Sequence, residues 1–394
     1  MSTHATVVPG PIDTRPFRLL AGVAALGLVF VALRFALGIG AVSGLSDGYP
    51  WGIWIAWDVV TGTALACGGY ALAILVYVLN NGRYHPLVRP AVLTSALGYS
   101  MAGFSIFFDV GRPWALFKVP LQFWNWNVNS ALLEVALCIT AYVVIVWIEM
   151  TPAILERAKD EPTWPTLRRL ARRLSGPLEK ALPFILALGL LLPTMHQSSL
   201  GSLMLLSGHK LHRLWHTPLL PLLFLVSCVA MGYAAVVFEA ALSSWAFKRK
   251  RETTMLSALA RPTVITIALY LALRLGDLVY RGRIGMALQP SLYALMFALE
   301  VLLFVVGAFM LTRAASGGSL GALFRAAVVI MAAGALYRFD TYLVAFDPGP
   351  NWSYFPAVPE LFMTLGVIAL EIVIYLAFVK TFPVIGGETA AEAR

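Results

Sequence analysis

Long apolar runs recur along almost the whole sequence. They lie near residues 17–38, 52–79, 88–109, 128–150, 181–206, 218–243, 262–280, 288–312, 320–340 and 359–381. A helix of about 20 apolar residues crosses the hydrocarbon core of a bilayer, whereas a membrane β-barrel would show alternating segments of about ten residues. Charged residues make up only 12% of the chain, and a soluble domain carries about 25%. The sequence therefore predicts an all-α integral membrane protein with about ten transmembrane helices.

The basic side chains are concentrated in alternate loops. Counting the apolar runs in order, the loops that follow the second, fourth, sixth, eighth and tenth runs lie on one side of the membrane. Most of the 29 lysines and arginines lie on that side. Because positively charged loops stay in the cytoplasm, both termini are predicted to be cytoplasmic, with tails at 1–16 and 382–394 around a membrane domain at 17–381. No small-residue cleavage site follows the first run, which predicts an uncleaved helix. This distribution argues against nucleic acid as the partner of the net charge of +9.

A weak internal repeat divides the membrane domain. The dipeptide Gly-Tyr at 69–70 recurs at 232–233, for example. The repeat predicts two related four-helix bundles with flanking helices, at approximately 52–206 and 218–340. The stretch 151–177 is rich in Pro and Arg and is predicted to be the long loop between them. A binding site at the seam between such repeats is a common arrangement.

Several ionisable side chains lie inside the predicted helices, where each costs roughly 2.5–3.5 kcal/mol on insertion scales. Arg274 and Asp277 are three residues apart on one helix and are interpreted as an ion pair. Arg338 and Asp340 fall at a helix end and are interpreted as interfacial. These four charges therefore have a structural interpretation.

Glu134 is harder to explain as part of an ion pair. No Lys or Arg lies near it in the sequence, and it follows a polar stretch that contains Asn127 and Asn129. An isolated membrane carboxyl group can bind a proton and release it when a neighbouring charge changes. The sequence predicts a proton-transfer role for Glu134, with Glu239 at the far end of such a path.

His196 lies in a polar segment of the fifth run. Pro193 precedes it, and five hydrogen-bonding side chains fall between Thr194 and Ser199, among them Gln197. A histidine in a protein core needs only one or two partners, so this density indicates a polar pocket. An imidazole is a suitable donor to a quinone carbonyl, and the hypothesis is that His196 binds a quinone with Gln197 beside it.

The chain offers few ligands for a redox centre of its own. A b-type haem typically takes two histidines at matching depth on facing helices, and His196 is alone inside the runs. His209, His212 and His216 fall in a loop, where they could cap a helix or bind a metal. An iron–sulfur cluster needs four thiolates, and the three cysteines are Cys67, Cys138 and Cys228. The sequence predicts no haem and no iron–sulfur cluster in this chain.

Aromatic side chains cluster at residues 49–57 and 123–126. Trp and Tyr gather at membrane interfaces, which is the simpler explanation. Both clusters fall on the same predicted face of the membrane, so they could also line the pocket or dock a partner.

Ten ordered motifs resemble those of one family, the NrfD/polysulfide reductase membrane subunits. The likeness extends over roughly residues 40–380 and is strongest to the HybB-type subunits of hydrogenase-2-type nickel–iron hydrogenases. The motifs are GYPWGIWIAWD at 48–58, ACGGY at 66–70, YHPLVRP at 84–90, GYS at 98–100, DVGR at 109–112, NVNS at 127–130, LPTMHQSS at 192–199, LRLGD at 273–277, AFDPG at 345–349 and YFP at 354–356.

The resemblance implies roles for individual residues of this chain. His196 and Asp58, with Gln197, are expected near the head group of menaquinone or ubiquinone. Glu134 and Tyr99 are expected in proton delivery, with Glu239 continuing the path inward.

The resemblance also implies partners and a location. Electrons would come from the small and large subunits of a nickel–iron hydrogenase through a periplasmic, ferredoxin-like iron–sulfur subunit. The chain would then sit among the lipids of the bacterial cytoplasmic (inner) membrane as a multi-pass anchor. It would carry the quinone site of a hydrogen:quinone oxidoreductase without reacting with hydrogen itself.

Three alternatives to this function remain open. The same anchor could serve a periplasmic multihaem cytochrome or molybdopterin enzyme. Buried carboxylates and broken helices are also found in secondary transporters. A purely structural anchor, with quinone bound elsewhere, is the third alternative.

Overall fold

The computed structural model describes residues 5–161, 165–249 and 252–386. In that part of the chain ten helices are long and apolar enough to cross a membrane. They are α1 Arg15–Leu37, α2 Trp54–Val78, α3 Gly82–Asp109, α4 Ala131–Lys159, α5 Pro165–Leu206, α6 Leu220–Ala246, α7 Thr253–Tyr280, α8 Leu292–Gly317, α9 Leu320–Val344 and α10 Val358–Val379. The predicted all-α membrane fold is confirmed. The predicted tails lie partly outside the described residues.

Local sequence signals set several helix ends. Thr14, Ser130, Ser291 and Ser319 precede α1, α4, α8 and α9, and each side chain accepts a hydrogen bond from a backbone N–H of the first turn. Such caps satisfy donors that have no partner within the helix. Gly318 ends α8 with φ of 62°, a left-handed conformation that glycine adopts without strain.

Three π-helical segments interrupt the regular spans. Two lie in α2, at Trp54–Thr61 and Ile74–Val78, and the third, Asp340–Val344, ends α9. Segments of this type widen a helix locally and often occur at functional sites. The first contains Asp58 and the third contains Asp340, so both carboxylates lie on irregular backbone.

The two ends of the helix bundle differ in composition. One, here called the basic end, carries the loop at 79–81, residues 247–249 after α6, the α8–α9 connection and the first and last described residues. The other, the aromatic end, carries the loops at 38–53, 110–130, 207–219, 281–291 and 345–357. Its loops contain short helical turns at Ile39–Ala41, Pro113–Ala115, Lys118–Leu121, Phe123–Asn125, Gly208–Lys210 and Ile284–Ala287.

The stretch 151–177 was predicted to be a loop, and this prediction is wrong. Helix α4 continues to Lys159, and α5 begins at Pro165 and runs for 42 residues through three prolines. Leu155 and Ala158 of α4 pack against Ala171 of α5 in a small apolar core of their own. Proline is compatible with a first helical turn, and this packing stabilises the extension beyond the membrane.

Helices α2 and α6 form the centre of the bundle, since they are the most deeply buried spans. Helices α2 to α5 contact one another in sequence order, and so do α6 to α9. Helices α1 and α10 pack against each other, and α10 also contacts α3. The two related bundles stay a prediction, because these contacts do not test whether the two groups are copies.

The two ends of the chain meet at the basic end. Strand β1, Ala5–Thr6, pairs antiparallel with strand β2, Ile385–Gly386. The Val8 amide also donates to the Val379 carbonyl at 3.0 Å. This two-stranded unit, here called the terminal strap, ties the first helix to the last.

Helices α1 and α10 approach closely at a pair of glycines. A Cβ added to Gly27 would lie 2.5 Å from the Cα of Gly366, and a Cβ on Gly366 would meet Gly27 at the same distance. Small residues let membrane helices approach until their backbones touch. Any larger side chain at Gly27 must push the two helices apart.

Replacing Gly27 with Leu is therefore expected to lower stability by about 1–3 kcal/mol, the usual cost of overpacking. The measurement is the temperature at which the detergent-purified protein loses its monodisperse size-exclusion peak. Gly22→Leu on the same helix is the control, because nothing lies within 4 Å of its added Cβ. Equal melting of the two variants would contradict the glycine contact.

Candidate functional site

His196 lies fully buried in the half of α5 nearer the aromatic end. Its ring packs edge-on against Tyr99 of α3, with ring centroids 5.5 Å apart. Tyr99 in turn contacts Tyr142 of α4, at 4.5 Å between centroids. The structure thus brings together His196 and Tyr99, which the sequence had assigned to quinone binding and proton delivery.

Neither ring nitrogen of His196 meets hydrogen-bond geometry with a described residue. The backbone of Val135 lies close enough to interact with the ring, but without that geometry. Buried polar side-chain atoms are nearly always hydrogen-bonded, and an exception calls for an explanation such as an absent ligand. At least one ring nitrogen of His196 is therefore available to a further partner.

The Tyr99 hydroxyl lies 3.4 Å from the Cys67 sulfur. Cys67 belongs to α2 and is buried, as are Cys138 and Cys228. The cysteine is thus more than an apolar filler, since it provides a polar contact for Tyr99. No local sequence pattern indicates this contact, because the two residues are on different helices.

Gln197 faces away from this cluster. Its side-chain amide donates to the Thr63 hydroxyl at 3.0 Å, and its carbonyl accepts from Arg338 at 3.2 Å. Both ends of the amide are therefore engaged. Gln197 links α5 to α2 and α9, and this link fixes the backbone next to His196.

Arg338 of α9 connects four helices through its hydrogen bonds. It is fully buried and donates to the backbone carbonyls of Val60 and Phe224, both at 3.1 Å. It also contacts the Ser227 hydroxyl at 3.1 Å and the Met231 sulfur at 3.2 Å. Among the described residues it has no ion-pair partner within 4 Å.

The interpretation of Arg338 as interfacial is wrong. The predicted span ended at residue 340, but the π-helical segment carries α9 on to Val344, and this places Arg338 inside the bundle. Its side chain satisfies its hydrogen bonds with carbonyls and polar side chains, which hydropathy does not reveal. Asp340 is also fully buried, and neither of its carboxylate oxygens has a described partner.

Asp58 lies in a separate polar group on α2. Its carboxylate accepts hydrogen bonds from Ser105 of α3 at 3.1 Å and Thr364 of α10 at 3.3 Å. The other carboxylate oxygen has no described partner, and neither has the Trp54 indole N–H one turn earlier. Asp58 is hydrogen-bonded to α3 and α10, whereas the His196 ring packs on Tyr99, so the two residues have different neighbours.

The two carboxylates predicted for proton transfer lie at opposite ends of the bundle. Glu134 is half-buried in the first turn of α4, at the aromatic end. Glu239 lies near the basic end of α6 and accepts from the hydroxyls of Tyr375 at 2.7 Å and Thr94 at 2.8 Å. The contacts do not join these residues into one site.

Arg274 and Glu300 form the buried ion pair of the second half of the chain. They are 3.4 Å apart, and Glu300 also accepts from Tyr270 at 2.7 Å and Trp215 at 3.1 Å. The predicted pair of Arg274 with Asp277 is wrong, because Asp277 instead pairs with Arg281 at 3.6 Å. Arg274 therefore pairs with Glu300 on α8, and not with Asp277 on its own helix.

Two cavities lie at the basic end. The larger, of about 690 Å³, is lined by Tyr77, Arg83, Glu149, Leu186 and the ion pair of Arg89 with Glu156. The smaller, of about 30 Å³, contacts Glu239 and Glu252. Burial raises the pKa of Glu252, and the charge of Arg249 opposes this rise.

Comparison with known proteins identifies relatives along the whole chain. The polysulphide reductase NrfD family matches residues 41–345. The "Probable Ni/Fe-hydrogenase 2 b-type cytochrome subunit" of Escherichia coli (strain K12) is 39% identical over 98% of this chain and 96% of its own. A protein of Nitratidesulfovibrio vulgaris (strain Hildenborough) is 31% identical over 91% of this chain and 92% of its own. The "Menaquinone reductase, integral membrane subunit" of the same organism is 32% identical over 44% of this chain and 40% of its own.

The resemblance noted in the sequence is confirmed by these matches, and the prediction of no haem is contradicted by them. The Escherichia coli relative is named a b-type cytochrome subunit, which is the name of a haem protein. The prediction is wrong because it counted only histidine pairs within one chain. Met, Cys and Tyr also ligate haem iron, and this chain contains 12 methionines and 3 cysteines.

The described surroundings of His196 do not fit a porphyrin as they are packed. The imidazole packs on Tyr99 and Tyr99 packs on Tyr142, so the rings fill the space beside His196. His209, His212 and His216 lie in a loop at the aromatic end. We assign no haem ligand within the His196 cluster.

The contribution of the Arg274–Glu300 ion pair to stability can be tested by mutation. Tyr270 and Trp215 donate to different oxygens of Glu300, so Glu300→Gln keeps an acceptor for only one of them and leaves the Arg274 cation without a counter-ion. We expect a loss of about 3–5 kcal/mol in stability, measured by thermal unfolding in detergent.

The double variant Arg274→Met/Glu300→Gln removes the stranded cation and is expected to be more stable than Glu300→Gln. Asp277→Asn is the control, since its partner Arg281 is partly exposed and such pairs contribute little. A double variant less stable than Glu300→Gln would contradict the assignment.

Proposed function

The chain belongs to the polysulphide reductase NrfD family, and on this basis we propose that it is the quinone-reactive membrane subunit of a nickel–iron hydrogenase. It is a multi-pass protein of the bacterial inner membrane. Electrons from hydrogen pass through an iron–sulfur partner to menaquinone or ubiquinone held by this chain. The supporting comparison is the Escherichia coli hydrogenase 2 subunit, which matches along nearly the whole chain.

The observation that carries the quinone proposal is the unpartnered imidazole of His196. Both ring nitrogens are buried without a described partner, and the Tyr99 hydroxyl is on the neighbouring ring. A quinone carbonyl accepts a hydrogen bond from a neutral imidazole N–H, and the reduced oxygen needs a proton. His196 supplies the first contact, and Tyr99 is adjacent for the second.

Gln197 and Asp58 have different parts in this proposal. Gln197 acts as a positioning residue, because its amide is held by Thr63 and Arg338. Asp58 retains one carboxylate oxygen without a described partner and provides a second polar contact for the head group. Glu134 and Glu239 transfer protons at the two ends of the bundle.

The orientation follows from the basic end. Positively charged loops stay in the cytoplasm, so both termini are cytoplasmic and the aromatic end faces the periplasm. The aromatic end exposes several large side chains, namely Trp114, Phe117, Phe123, Trp124 and Val128. This surface suits a periplasmic, ferredoxin-like iron–sulfur subunit, which connects the chain to the small and large hydrogenase subunits.

A second candidate is an anchor for a different periplasmic oxidoreductase. The observation that favours it is the match to the integral membrane subunit of a menaquinone reductase, a name without hydrogenase in it. The quinone chemistry would be unchanged and the electron donor would differ. The metal content of the complex separates the two.

Purification of the tagged chain from native membranes in mild detergent tests the donor. We expect stoichiometric nickel, together with iron–sulfur absorbance and hydrogenase-sized partner chains. The measurement is elemental analysis of the size-exclusion peak. Molybdenum or abundant c-type haem in place of nickel would favour the second candidate, and a chain without partners would contradict both.

Replacing His196 with Ala tests the quinone site. We expect quinone reduction to slow about tenfold, the equivalent of one lost hydrogen bond of about 1.4 kcal/mol. Hydrogen oxidation with a soluble dye should be unaffected, because that reaction does not use the membrane subunit. His209→Ala is the control, since His209 is exposed in a loop. Normal quinone kinetics in His196→Ala would contradict the proposal.

A further inference from the structure

Helix α10 carries a line of polar side chains along most of its length. Glu360, Thr364, Glu371 and Tyr375 are separated by four, seven and four residues. These intervals place them on one face of a helix. At a rise of 1.5 Å per residue the line covers about 22 Å, a large part of the hydrocarbon thickness of about 30 Å.

The upper part of this line, towards the aromatic end, reaches Asp58. The Thr364 hydroxyl donates to the Asp58 carboxylate at 3.3 Å, and Ser105 of α3 donates to the same oxygen at 3.1 Å. Glu360, one turn above, accepts from the Tyr354 hydroxyl at 2.8 Å and from two backbone amides. Glu360 therefore anchors the start of the helix, and the line proper begins at Asp58.

The lower part of the line reaches Glu239. The Tyr375 hydroxyl donates to the Glu239 carboxylate at 2.7 Å, and Thr94 of α3 donates to its other oxygen at 2.8 Å. Glu239 also contacts the cavity of about 30 Å³ at the basic end, which is enough volume for a water molecule. Strand β2 of the terminal strap lines the same cavity.

Glu371 connects the two parts. It lies one turn above Tyr375 and within electrostatic range of both Glu239 and Asp58. Its carboxylate faces Gly98 of α3, where an added Cβ would lie 3.4 Å from the oxygen. Because Gly98 has no side chain, the carboxylate can approach the backbone next to Tyr99 of the His196 cluster.

Ion pairing does not explain these carboxylates. Among the described residues, Asp58, Glu239 and Glu371 have no Lys or Arg within 4 Å, whereas Glu300 and Glu156 each pair with an arginine. Chains of acidic groups inside membrane proteins are typical of proton relays. The hydroxyls that contact Asp58 and Glu239 can both donate and accept a proton.

We infer that α10 carries a proton line from the basic end, through Glu239, Tyr375 and Glu371, to Asp58. This inference rests on the proposed quinone reduction and specifies where its protons come from. Reduction of one quinone to the quinol takes two electrons, which the iron–sulfur partner supplies, and two protons, which enter through this line. Glu371 is the relay at its middle.

The test uses the complete complex reconstituted in liposomes, with a short-chain quinone and hydrogen. Glu371→Gln keeps the size of the side chain and removes the exchangeable proton. We expect proton uptake from the basic end to slow about tenfold to a hundredfold, towards the low end of what a positioned acid or base contributes. Glu371→Asp should restore part of the rate.

Glu149→Gln is the matched control. Glu149 is a carboxylate of the larger cavity at the same end of the bundle and lies outside the line. It should leave proton uptake near the normal rate. A normal rate in Glu371→Gln would overturn the inference, and so would a slow rate in Glu149→Gln alone. If Glu371→Gln does not assemble, Tyr375→Phe tests the same line by removing one hydroxyl. Its proton uptake should also be slow, and a normal rate would overturn the inference.

A second readout does not depend on quinone. Deuterium entering from the basic end should shift a carboxyl infrared band that is present in the normal complex and absent in Glu371→Gln. If the normal complex does not reduce quinone, the proposed function is contradicted, and the infrared band still tests the proton line. A Glu371 carboxyl that does not exchange within the time of turnover would remove the line alone.

Discussion

The buried guanidinium of Arg338 is the interaction on which the centre of the bundle depends. A cation inside a membrane protein is costly unless its hydrogen bonds are satisfied, and this one is satisfied by carbonyls and polar side chains of α2, α5, α6 and α9. These hydrogen bonds therefore fix the distance of each helix from Arg338 and its rotation about its own axis. The same contacts hold Gln197, and so they fix the backbone that presents His196.

Two kinds of buried acidic group differ in their partners. Arg274 with Glu300 is a closed group, in which the ion pair and two further donors satisfy the carboxylate. Asp58 and Glu239 are open groups, held by hydroxyls and without a described cation within 4 Å. Glu371 also has no described Lys or Arg within 4 Å. Closed groups stabilise a packing arrangement, whereas open groups can change their charge during a reaction. These three carboxylates lie on or against α10, whereas Asp340, which also has no described partner, lies on α9.

The sequence predicted the helices well, because hydropathy is a property of short stretches of chain. The exact helix starts after Ser130 and Ser291 were not predicted, although both residues are helix caps in the structure. Partner choice was not predicted, since Arg274 pairs with a residue on another helix and Arg338 with carbonyls from distant parts of the chain. The contact of Tyr99 with His196 likewise depends on the packing of α3 against α5, which no local pattern encodes.

The haem prediction failed for a different reason. It treated a count of histidines as a limit on chemistry, although other side chains ligate haem iron. Fully buried residues such as Cys67 and Met231 already make polar contacts with Tyr99 and Arg338. Residue type alone therefore underestimates what the sulfur atoms of this chain can do.

The contact of α1 with α10 and the terminal strap have a consequence for biosynthesis. The first helix leaves the ribosome long before its partner, since more than 300 residues separate Leu37 from Val358. At about 5–20 residues per second, α1 waits roughly 15–60 s in the membrane without its final neighbour. During that interval Gly27 faces lipid or an insertion chaperone. The terminal strap cannot form until strand β2 has been translated.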